Sequence, residues 1–274
     1  MSPMTEGIVA VPGADLYYGL RGSGPPLLII QGGDGDAEAS DGLAGHLLDF
    51  YTVLTYDRRG LSRSKLHDGA PPPSGLETHG DDVHLLLAAV ATEPVSVLGG
   101  SIGALIGLEL VSRPPEQVRT LVAHEPPSAT LLSGAERADA ERFQQEVEDL
   151  YAREGVAAAM RKFVTALSDF SDREPDVELP RPGPLRAANL DFFLAHDTGA
   201  VSRYRLDIPA LKSAPTRIVP AAGRTSREIW THHCAARLAE LLGVEVAEFP
   251  GGHNGFVLHP RAFAARLREV FEDA

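Results

Sequence analysis

Cysteine and positive charge are both scarce in this sequence of 274 residues. Cys234 is the single cysteine, so no disulfide bond can form within the chain. Lysine and arginine number 25 against 38 aspartate and glutamate residues, which gives a formal net charge of −13 at pH 7 with histidine neutral. This excess of negative charge disfavours nucleic acids and anionic membranes as partners. The single cysteine fits a reducing compartment, and we expect a cytoplasmic protein.

Long apolar runs are also missing. No uninterrupted hydrophobic stretch is long enough to span a bilayer, and residues 1–7 are polar where a secretory signal would need an apolar centre. No histidine pair has acidic or cysteine neighbours at metal-ligand spacing, so the sequence predicts no metal site. Hydrophobic residues nevertheless make up 43% of the chain, which is enough for one large core without a metal or disulfide.

Short apolar runs alternate with helical patterns along most of the chain. The runs predict strands at residues 26–30, 51–56, 95–98, 118–124, 215–222 and 244–249. Residues 128–210 interrupt this alternation, because that stretch is helical or irregular. The pattern predicts an α/β fold, with a mostly parallel sheet, helices on both faces and a helical cap over the carboxyl ends of the strands. We expect a core of residues 1–127 and 211–274 and a cap of residues 128–210.

The segment around Ser101 carries the strongest functional signal. An apolar strand runs into Gly99-Gly100-Ser101-Ile102-Gly103, and an apolar helix follows. A Gly-x-Ser-x-Gly pattern between a strand and a helix is typical of a nucleophile elbow, whose strained turn lifts the serine hydroxyl clear of the sheet. Gly99 and Gly103 leave room for the close approach of strand and helix. The alternative is a glycine-rich turn with an incidental serine, which the strand and helix on either side disfavour.

A serine nucleophile needs a base and donors for the oxyanion. His253 follows the last predicted strand on a Gly-Gly-His turn and is the candidate base. The predicted oxyanion donors are the backbone N–H groups of Ile102, directly after the serine, and of Gly33, in the loop after the strand at residues 26–30. A plain glycine turn at residues 32–33 is the alternative interpretation.

Together these motifs resemble the serine α/β-hydrolases. Their order matches over nearly the whole chain: a Gly-rich loop, Asp57-Arg58-Arg59-Gly60, the elbow, a cap segment and Gly-Gly-His. The resemblance implies the α/β-hydrolase fold, a triad of serine, histidine and an acid, and no cofactor. It also implies that the Asp57-Arg58-Arg59-Gly60 segment shapes a loop near the site without taking part in catalysis.

The triad acid has two candidates. Many α/β-hydrolases carry an aspartate after the strand predicted at residues 215–222, but this chain has Gly223-Arg224-Thr225-Ser226 there and only Glu228 slightly further on. A branch similar to zearalenone lactonase carries its acid one strand earlier, and His124-Glu125-Pro126 lies at that position. The resemblance therefore favours Glu125 over Glu228. Without a catalytic role, Glu125 would be a hinge carboxylate paired with an arginine, and Glu228 a residue at a helix start.

These assignments predict a serine hydrolase that cleaves a carboxylic ester or lactone. The expected substrate is small and apolar, because aromatic residues of the cap segment such as Phe163 and Phe193 can line a pocket. A C–C bond hydrolase or a thioesterase would use the same triad. A non-catalytic protein that binds small molecules is the alternative from another class, since a fold alone does not determine function. The sequence leaves open whether the chain forms a homo-oligomer.

Overall fold

A single β-sheet runs through the part of the chain that the computed structural model describes, residues 4–33, 35–113, 115–167, 169–178 and 183–272. Its strands are β1 (Thr5–Val11), β2 (Ala14–Gly22), β3 (Pro26–Ile30), β4 (Thr52–Tyr56), β5 (Lys65–Leu66), β6 (Val95–Gly100), β7 (Val118–His124), β8 (Arg217–Gly223) and β9 (Ala247–Phe249). Their spatial order is β1-β2-β4-β3-β6-β7-β8-β9, and β5 pairs with β2. The pairs that involve β2 are antiparallel, and the other pairs are parallel.

Helices cover both faces of this sheet. They are α1 (Asp41–Gly45), α2 (Leu76–Val90), α3 (Ile102–Val111), α4 (Gly134–Glu154), α5 (Val156–Leu167), α6 (Pro184–Phe192), α7 (Thr198–Arg203), α8 (Ile208–Ser213), α9 (Trp230–Leu242), α10 (Gly255–Leu258) and α11 (Pro260–Glu272). Side chains of α2, α3 and α9 pack on one face, and side chains of α1, α10 and α11 pack on the other. The predicted α/β fold with a mostly parallel sheet is confirmed. In the described residues, no helix is long and apolar enough to cross a membrane.

The central strands are buried on both faces, as their unbroken apolar runs predict. Successive side chains of a strand point to opposite faces. In β3, Leu28 and Ile30 accordingly join the hydrophobic cluster on one face, while Leu27 and Ile29 join the cluster on the other. These four side chains are 2% exposed or less, and burying each contributes about 1.5–3 kcal/mol to folding. The sheet therefore gives a rigid base for the loops at its carboxyl edge.

Residues 125–216, which we call the helical insertion, join β7 to β8. They include α4 to α8 and a π-helical turn at Phe193–Asp197, which we call the π turn. The helical pattern of residues 185–196 predicts one helix, which is present as α6 followed by the π turn. The acidic, proline-rich stretch of residues 172–184 predicts a surface loop, of which positions 179–182 lie outside the described ranges.

Candidate active site

Ser101 lies on the sharp turn between β6 and α3. Its φ of 55° and ψ of −124° are strained for a residue with a side chain, at a cost of roughly 1–3 kcal/mol. Its backbone N–H donates to the carbonyl of His124 at 2.9 Å, which ties the turn to β7. Helix α3 begins at Ile102, and the N–H groups of a first helical turn have no acceptor within the helix. The strand, turn and helix expected around Ser101 are present.

Glycines allow this turn to pack against its surroundings. A Cβ atom built on Gly103 would lie 2.1 Å from the carbonyl oxygen of Ile30, and one built on Gly99 would lie 2.4 Å from the carbonyl oxygen of Gly103. Real Cβ atoms do not approach oxygen so closely, so a side chain at either position would push α3 away from the sheet. The two glycines of the pattern are therefore required by the packing of this helix.

The loop of residues 31–33, which we call the β3 loop, passes directly beside Ser101. A Cβ atom built on Gly32 would lie 3.3 Å from the Cβ atom of Ser101. Gly33 has a φ of 23° and, together with Ser101, lines a cavity above the sheet. Ile102 lines a second space, which also borders Ser101. Gly33 and Ile102 thus line two spaces that both border Ser101.

Glu125 follows β7 directly and is completely buried. One carboxylate oxygen, Oε1, accepts hydrogen bonds from the N–H of Gly223 at 3.0 Å and from the hydroxyl of Ser226. The other, Oε2, accepts from the hydroxyl of Thr231 at 2.8 Å and lies 2.9 Å from Nδ1 of His253. These four contacts match the acceptor capacity of an ionised carboxylate. The buried charge is therefore fully compensated.

The charge state of Glu125 follows from these contacts. Burial alone would raise the pKa of the carboxyl group, but the hydrogen bond and the charge of His253 lower this pKa well below its ordinary value. An ionised carboxylate at Nδ1 favours the histidine form with a proton on Nδ1. In the neutral ring, Nε2 is then the nitrogen that can accept a proton.

The loop after β9 brings His253 to Glu125. A Cβ atom built on Gly223, at the end of β8, would lie 2.4 Å from the carbonyl oxygen of Gly251, so these two segments meet closely. The N–H of Thr225 also donates to this carbonyl at 3.1 Å. His253 is 4% exposed and lines the same cavity as Ser101. Ser101 and His253 thus line one cavity, and Glu125 contacts His253, while Glu228 is exposed.

Two partners of Glu125, Ser226 and Thr231, are not among the site residues predicted from the sequence. Both follow β8, in the region where many α/β-hydrolases carry an aspartate. Here the loop and the start of α9 supply hydroxyl donors to Glu125 instead. The serine in place of the expected aspartate is the signal that points to this arrangement.

Two connected spaces border Ser101. The first, of about 140 Å³, contains His253 and the β3 loop and is walled by apolar side chains that include Met160 and Leu167. The second, of about 30 Å³, is lined by side chains that include Phe143, Val147 and Trp230. Phe163 and Phe193, both from the helical insertion, line both spaces. The serine therefore lies at the junction of two small, mainly apolar compartments.

His124 lies next to this site in an aromatic environment. Its ring is completely buried, and its centroid lies 6.1 Å, 6.0 Å and 5.4 Å from the ring centroids of Phe249, Phe256 and Phe263. Among the described residues, neither ring nitrogen has a hydrogen-bond partner. Burial lowers the pKa of His124 to about 4, so the ring is neutral at pH 7.

Three known proteins resemble this chain, one over nearly its whole length and two over slightly less than half of it. The uncharacterised hydrolase YraK of Bacillus subtilis is 39% identical over 273 residues, which cover 98% of this chain and 97% of YraK. The putative carbamate hydrolase RutD of Azorhizobium caulinodans is 34% identical over 126 residues, 46% of this chain and 43% of RutD. Zearalenone hydrolase of Cladophialophora bantiana is 33% identical over 132 residues, 44% of this chain and 47% of that protein.

A solved structure and a family model indicate the same fold and family as these relatives. The solved structure of a hydrolase from Pseudomonas aeruginosa matches with a TM-score of 0.74 at 22% identity, over 97% of this chain and 98% of that one. A family model described as the alpha/beta hydrolase fold matches residues 25–180. Because that match covers more than half of the chain, and YraK matches it almost from end to end, the chain belongs to the α/β-hydrolase family.

Proposed function

We propose that this chain is a serine hydrolase that cleaves a carboxylic ester or lactone with a triad of Ser101, His253 and Glu125. The observation that carries the proposal is the 2.9 Å distance between Nδ1 of His253 and the buried carboxylate of Glu125, on a ring that shares a cavity with Ser101. The strained backbone of Ser101 supports the same assignment, since such strain is concentrated at functional sites.

In the proposed reaction, the hydroxyl oxygen of Ser101 attacks the carbonyl carbon while Nε2 of His253 accepts the hydroxyl proton. Glu125 stabilises the imidazolium that forms and keeps the ring in its tautomer. His253 then gives its proton to the leaving alkoxide, which leaves an acyl-enzyme and an alcohol. Water, deprotonated by His253, releases the acid and restores Ser101. In a lactone, the alcohol stays covalently attached to the acyl group throughout, and the second step releases a hydroxy acid.

The proposed oxyanion donors are the N–H groups of Gly33 and Ile102. The tetrahedral intermediate carries a full negative charge on the former carbonyl oxygen, and fixed backbone donors stabilise it more than they stabilise the substrate. Gly33 and Ile102 flank Ser101 from the β3 loop and from the first turn of α3. Both elements are packed on the buried sheet, so the donors are held in place before the reaction.

The cavity supports a small and largely apolar substrate. The two compartments measure about 140 and about 30 Å³, below the roughly 300–1,000 Å³ of cavities that enclose drug-sized ligands. Met160, Phe163 and Phe193 give part of the wall, and all three belong to the helical insertion. We therefore propose that residues 128–210 act as a cap that shapes the pocket and excludes water from it.

The same attack on a carbonyl carbon hydrolyses three other classes of substrate. They are thioesters, carbamates and β-diketones, the last of which are cleaved at a C–C bond. One relative carries the name putative carbamate hydrolase. A non-catalytic binding protein would keep the pocket and would need neither the charge on Glu125 nor its contact with His253. The buried, fully compensated carboxylate at His253 favours an enzyme over such a receptor.

A substrate panel tests the proposal. Purified wild type and Ser101→Ala are offered small esters, lactones, thioesters, carbamates and β-diketones at equal concentration, and initial rates are measured. We expect the highest kcat/KM for an ester or lactone. The loss in Ser101→Ala should be on the order of 10⁶-fold in kcat. Comparable rates from the folded Ser101→Ala variant would contradict the serine mechanism, and a preference for another class would correct the substrate.

A further inference from the structure

Arg58 is a buried cation that contacts the β3 loop. It follows β4 closely and is 1% exposed. One terminal nitrogen, Nη1, donates to the carbonyl of Gln31 at 3.1 Å and to the carbonyl of Gly32 at 3.3 Å. The other, Nη2, donates to the carbonyl of Gly33. A single side chain thus holds three consecutive carbonyl groups beside Ser101.

The same guanidinium group reaches into the helical insertion. Its Nη2 atom donates to Oδ2 of Asp197 at 3.1 Å, and Asp197 is the last residue of the π turn. The other carboxylate oxygen, Oδ1, lies 3.2 Å from Nε2 of the buried His79 on α2. Burial alone would raise the pKa of Asp197, but the charges and hydrogen bonds of His79 and Arg58 lower it. Asp197 therefore remains ionised and paired with Arg58 at neutral pH.

Peptide geometry connects this contact to the oxyanion. The described peptide bonds are trans, so the C=O of Gly32 and the N–H of Gly33, which share one peptide unit, point in opposite directions. When Arg58 holds the carbonyl of Gly32, it also directs the N–H of Gly33 away from the guanidinium group. The N–H of Gly35 also donates to this carbonyl at 2.8 Å. Losing the bond to Arg58 therefore leaves one donor in place of two, and the peptide unit that carries the N–H of Gly33 is held less firmly in its direction.

The π turn adds a second link between the insertion and the site. Phe193, its first residue, lines both compartments beside Ser101. A Cβ atom built on Gly33 would lie 3.8 Å from this ring, so the ring and the β3 loop are in contact. Asp197 closes the same turn one helical turn later. The π turn thus contacts the β3 loop through Phe193 and Arg58 through Asp197, while the ring of Phe193 also packs on Phe163 at a centroid distance of 5.9 Å and so has support besides the ion pair.

We propose that Arg58 and Asp197 are positioning residues that aim the N–H of Gly33 at the oxyanion by clamping the β3 loop to the π turn. The inference rests on the proposed function, because it concerns the same oxyanion site. Neither side chain touches the reacting atoms in this role. Breaking the clamp should therefore weaken the stabilisation of the tetrahedral intermediate and leave the binding of neutral substrate nearly unchanged.

The chain offers a matched control in the neighbouring residue. Arg59 is 5% exposed and donates through Nε to Oδ2 of Asp82 at 2.6 Å, and it also bonds to the carbonyl of Pro12 at 3.2 Å. This pair is as buried as the pair of Arg58 and Asp197, so losing either one destabilises the fold. Its partners lie on α2 and on the turn between β1 and β2. If Arg58 and Asp197 had only a structural role, breaking their pair would change the activity as much as breaking the pair of Arg59 and Asp82.

The experiment compares Arg58→Lys and Asp197→Asn with Arg59→Lys and Asp82→Asn. Lysine keeps the charge but lacks the planar fork that spans several acceptors. Each variant is first shown to be folded by circular dichroism at the assay temperature. The assays measure kcat and KM on the best ester and the inhibition constant of a trifluoromethyl ketone, whose adduct with serine carries the oxyanion. If Asp197→Asn does not fold, Arg58→Lys decides alone.

In the Arg58 and Asp197 variants we expect kcat to fall about 10- to 100-fold. This loss is smaller than the roughly 10²- to 10³-fold decrease in kcat that follows the removal of an oxyanion donor. The inhibition constant of the ketone should rise by a similar factor, while KM stays within about threefold of the wild-type value. The two control variants should change each quantity less than about threefold. Equal effects in both pairs, or a change in KM alone, would overturn the inference. A wild-type protein that neither turns over the ester nor binds the ketone would overturn the proposed function itself.

Discussion

Glu125 is the residue on which the proposed chemistry depends most. Its backbone φ of 47° is unusual for a glutamate, and its carboxylate is buried among four donors. Taking a charge out of water is unfavourable unless it is paired, so this arrangement exists only because His253, Gly223, Ser226 and Thr231 compensate it. The negative charge that results is placed directly at Nδ1 of the proposed base.

Replacing Glu125 with glutamine should remove most of the activity. Glu125→Gln keeps the length of the side chain but removes the charge that stabilises the imidazolium of His253. We expect kcat to fall roughly 10²- to 10⁴-fold, by analogy with a neutralised triad carboxylate. The matched variant Glu228→Gln alters an exposed carboxylate and should leave kcat within about threefold. Steady-state kinetics on the best ester measures both, and the reverse order of the two effects would transfer the acid to the loop after β8.

His124 illustrates a buried polar residue without a compensating partner. Its folded-state pKa of about 4 lies below its ordinary value of 6.5, so the unfolded chain binds the proton more readily between these two values. Stability from this residue is therefore present above pH 6.5 and is lost as the pH falls toward 4. The loss arises because the buried ring must stay neutral while the unfolded ring becomes charged.

The variant His124→Phe should remove this pH dependence. The free energy of unfolding is measured with urea at pH 7 and at pH 5. Its decrease between these two pH values should be about 2 kcal/mol smaller in His124→Phe than in the wild type. Stability at pH 7 should be kept or raised, because the orphaned ring nitrogens are removed. His46→Gln, at an exposed histidine, should retain the wild-type dependence. An unchanged slope in His124→Phe would show that its ring is protonated or paired in the folded state.

At the scale of secondary-structure elements, the junction of β6 and α3 determines where the serine hydroxyl points. The helix starts at Ile102 and packs so closely on the sheet that Gly103 meets the carbonyl of Ile30. The position of Ser101 is thus a consequence of how two elements pack. Any displacement of α3 moves Ser101 and the N–H of Ile102 together.

Gly103→Ala should therefore destabilise the protein and disturb its site. Its Cβ atom would lie 2.1 Å from a backbone oxygen that cannot rotate away, and we expect a loss of at least about 1–3 kcal/mol in the free energy of unfolding. Gly45→Ala, at the end of α1, has no atom within 4 Å of its new Cβ and serves as the control. Its stability should stay equal or rise by about 0.5–1 kcal/mol. Equal urea midpoints for the two variants would contradict the close packing of this helix.

The elements that could be predicted from sequence are those whose pattern is local. The buried strands β3 and β6 are continuous apolar runs, and β6 with α3 carries the Gly-x-Ser-x-Gly pattern. The two-residue strand β5 could not be predicted, because it exists only by pairing with β2. The sequence after β8 predicts a helix from about residue 226, but α9 begins at Trp230, since the preceding residues are held by the loop after β9 and by Glu125.

The same distinction applies to the candidate site. Ser101 and His253 could be proposed from the few residues on either side of each. The donors to Glu125 could not, because Ser226 and Thr231 lie 101 and 106 positions further along the chain. The contact of Arg58 with Asp197 spans 139 positions. The contacts of Glu125 depend on the pairing of β7 with β8, and the contact of Arg58 depends on how the insertion folds back over the sheet. No local pattern encodes either arrangement.

At the scale of the whole molecule, the site is shared between the sheet and the helical insertion. The sheet and its loops hold Ser101, Glu125 and His253, while Phe163 and Phe193 of the insertion form walls of the pocket. In the proposed mechanism, the sheet and its loops carry the reactive groups, and the insertion shapes the pocket. We expect relatives with other insertions to share the chemistry and to differ in substrate.

The most direct test of the proposed site is the reaction of the whole protein with a fluorophosphonate probe, followed by mass spectrometry of its peptides. The probe modifies a serine only where a base and oxyanion donors activate it. We predict one adduct, on Ser101, that is absent from Ser101→Ala and forms at least about a hundredfold more slowly in His253→Ala. An adduct on another residue, or undiminished labelling of the folded Ser101→Ala protein, would contradict the proposed catalytic site.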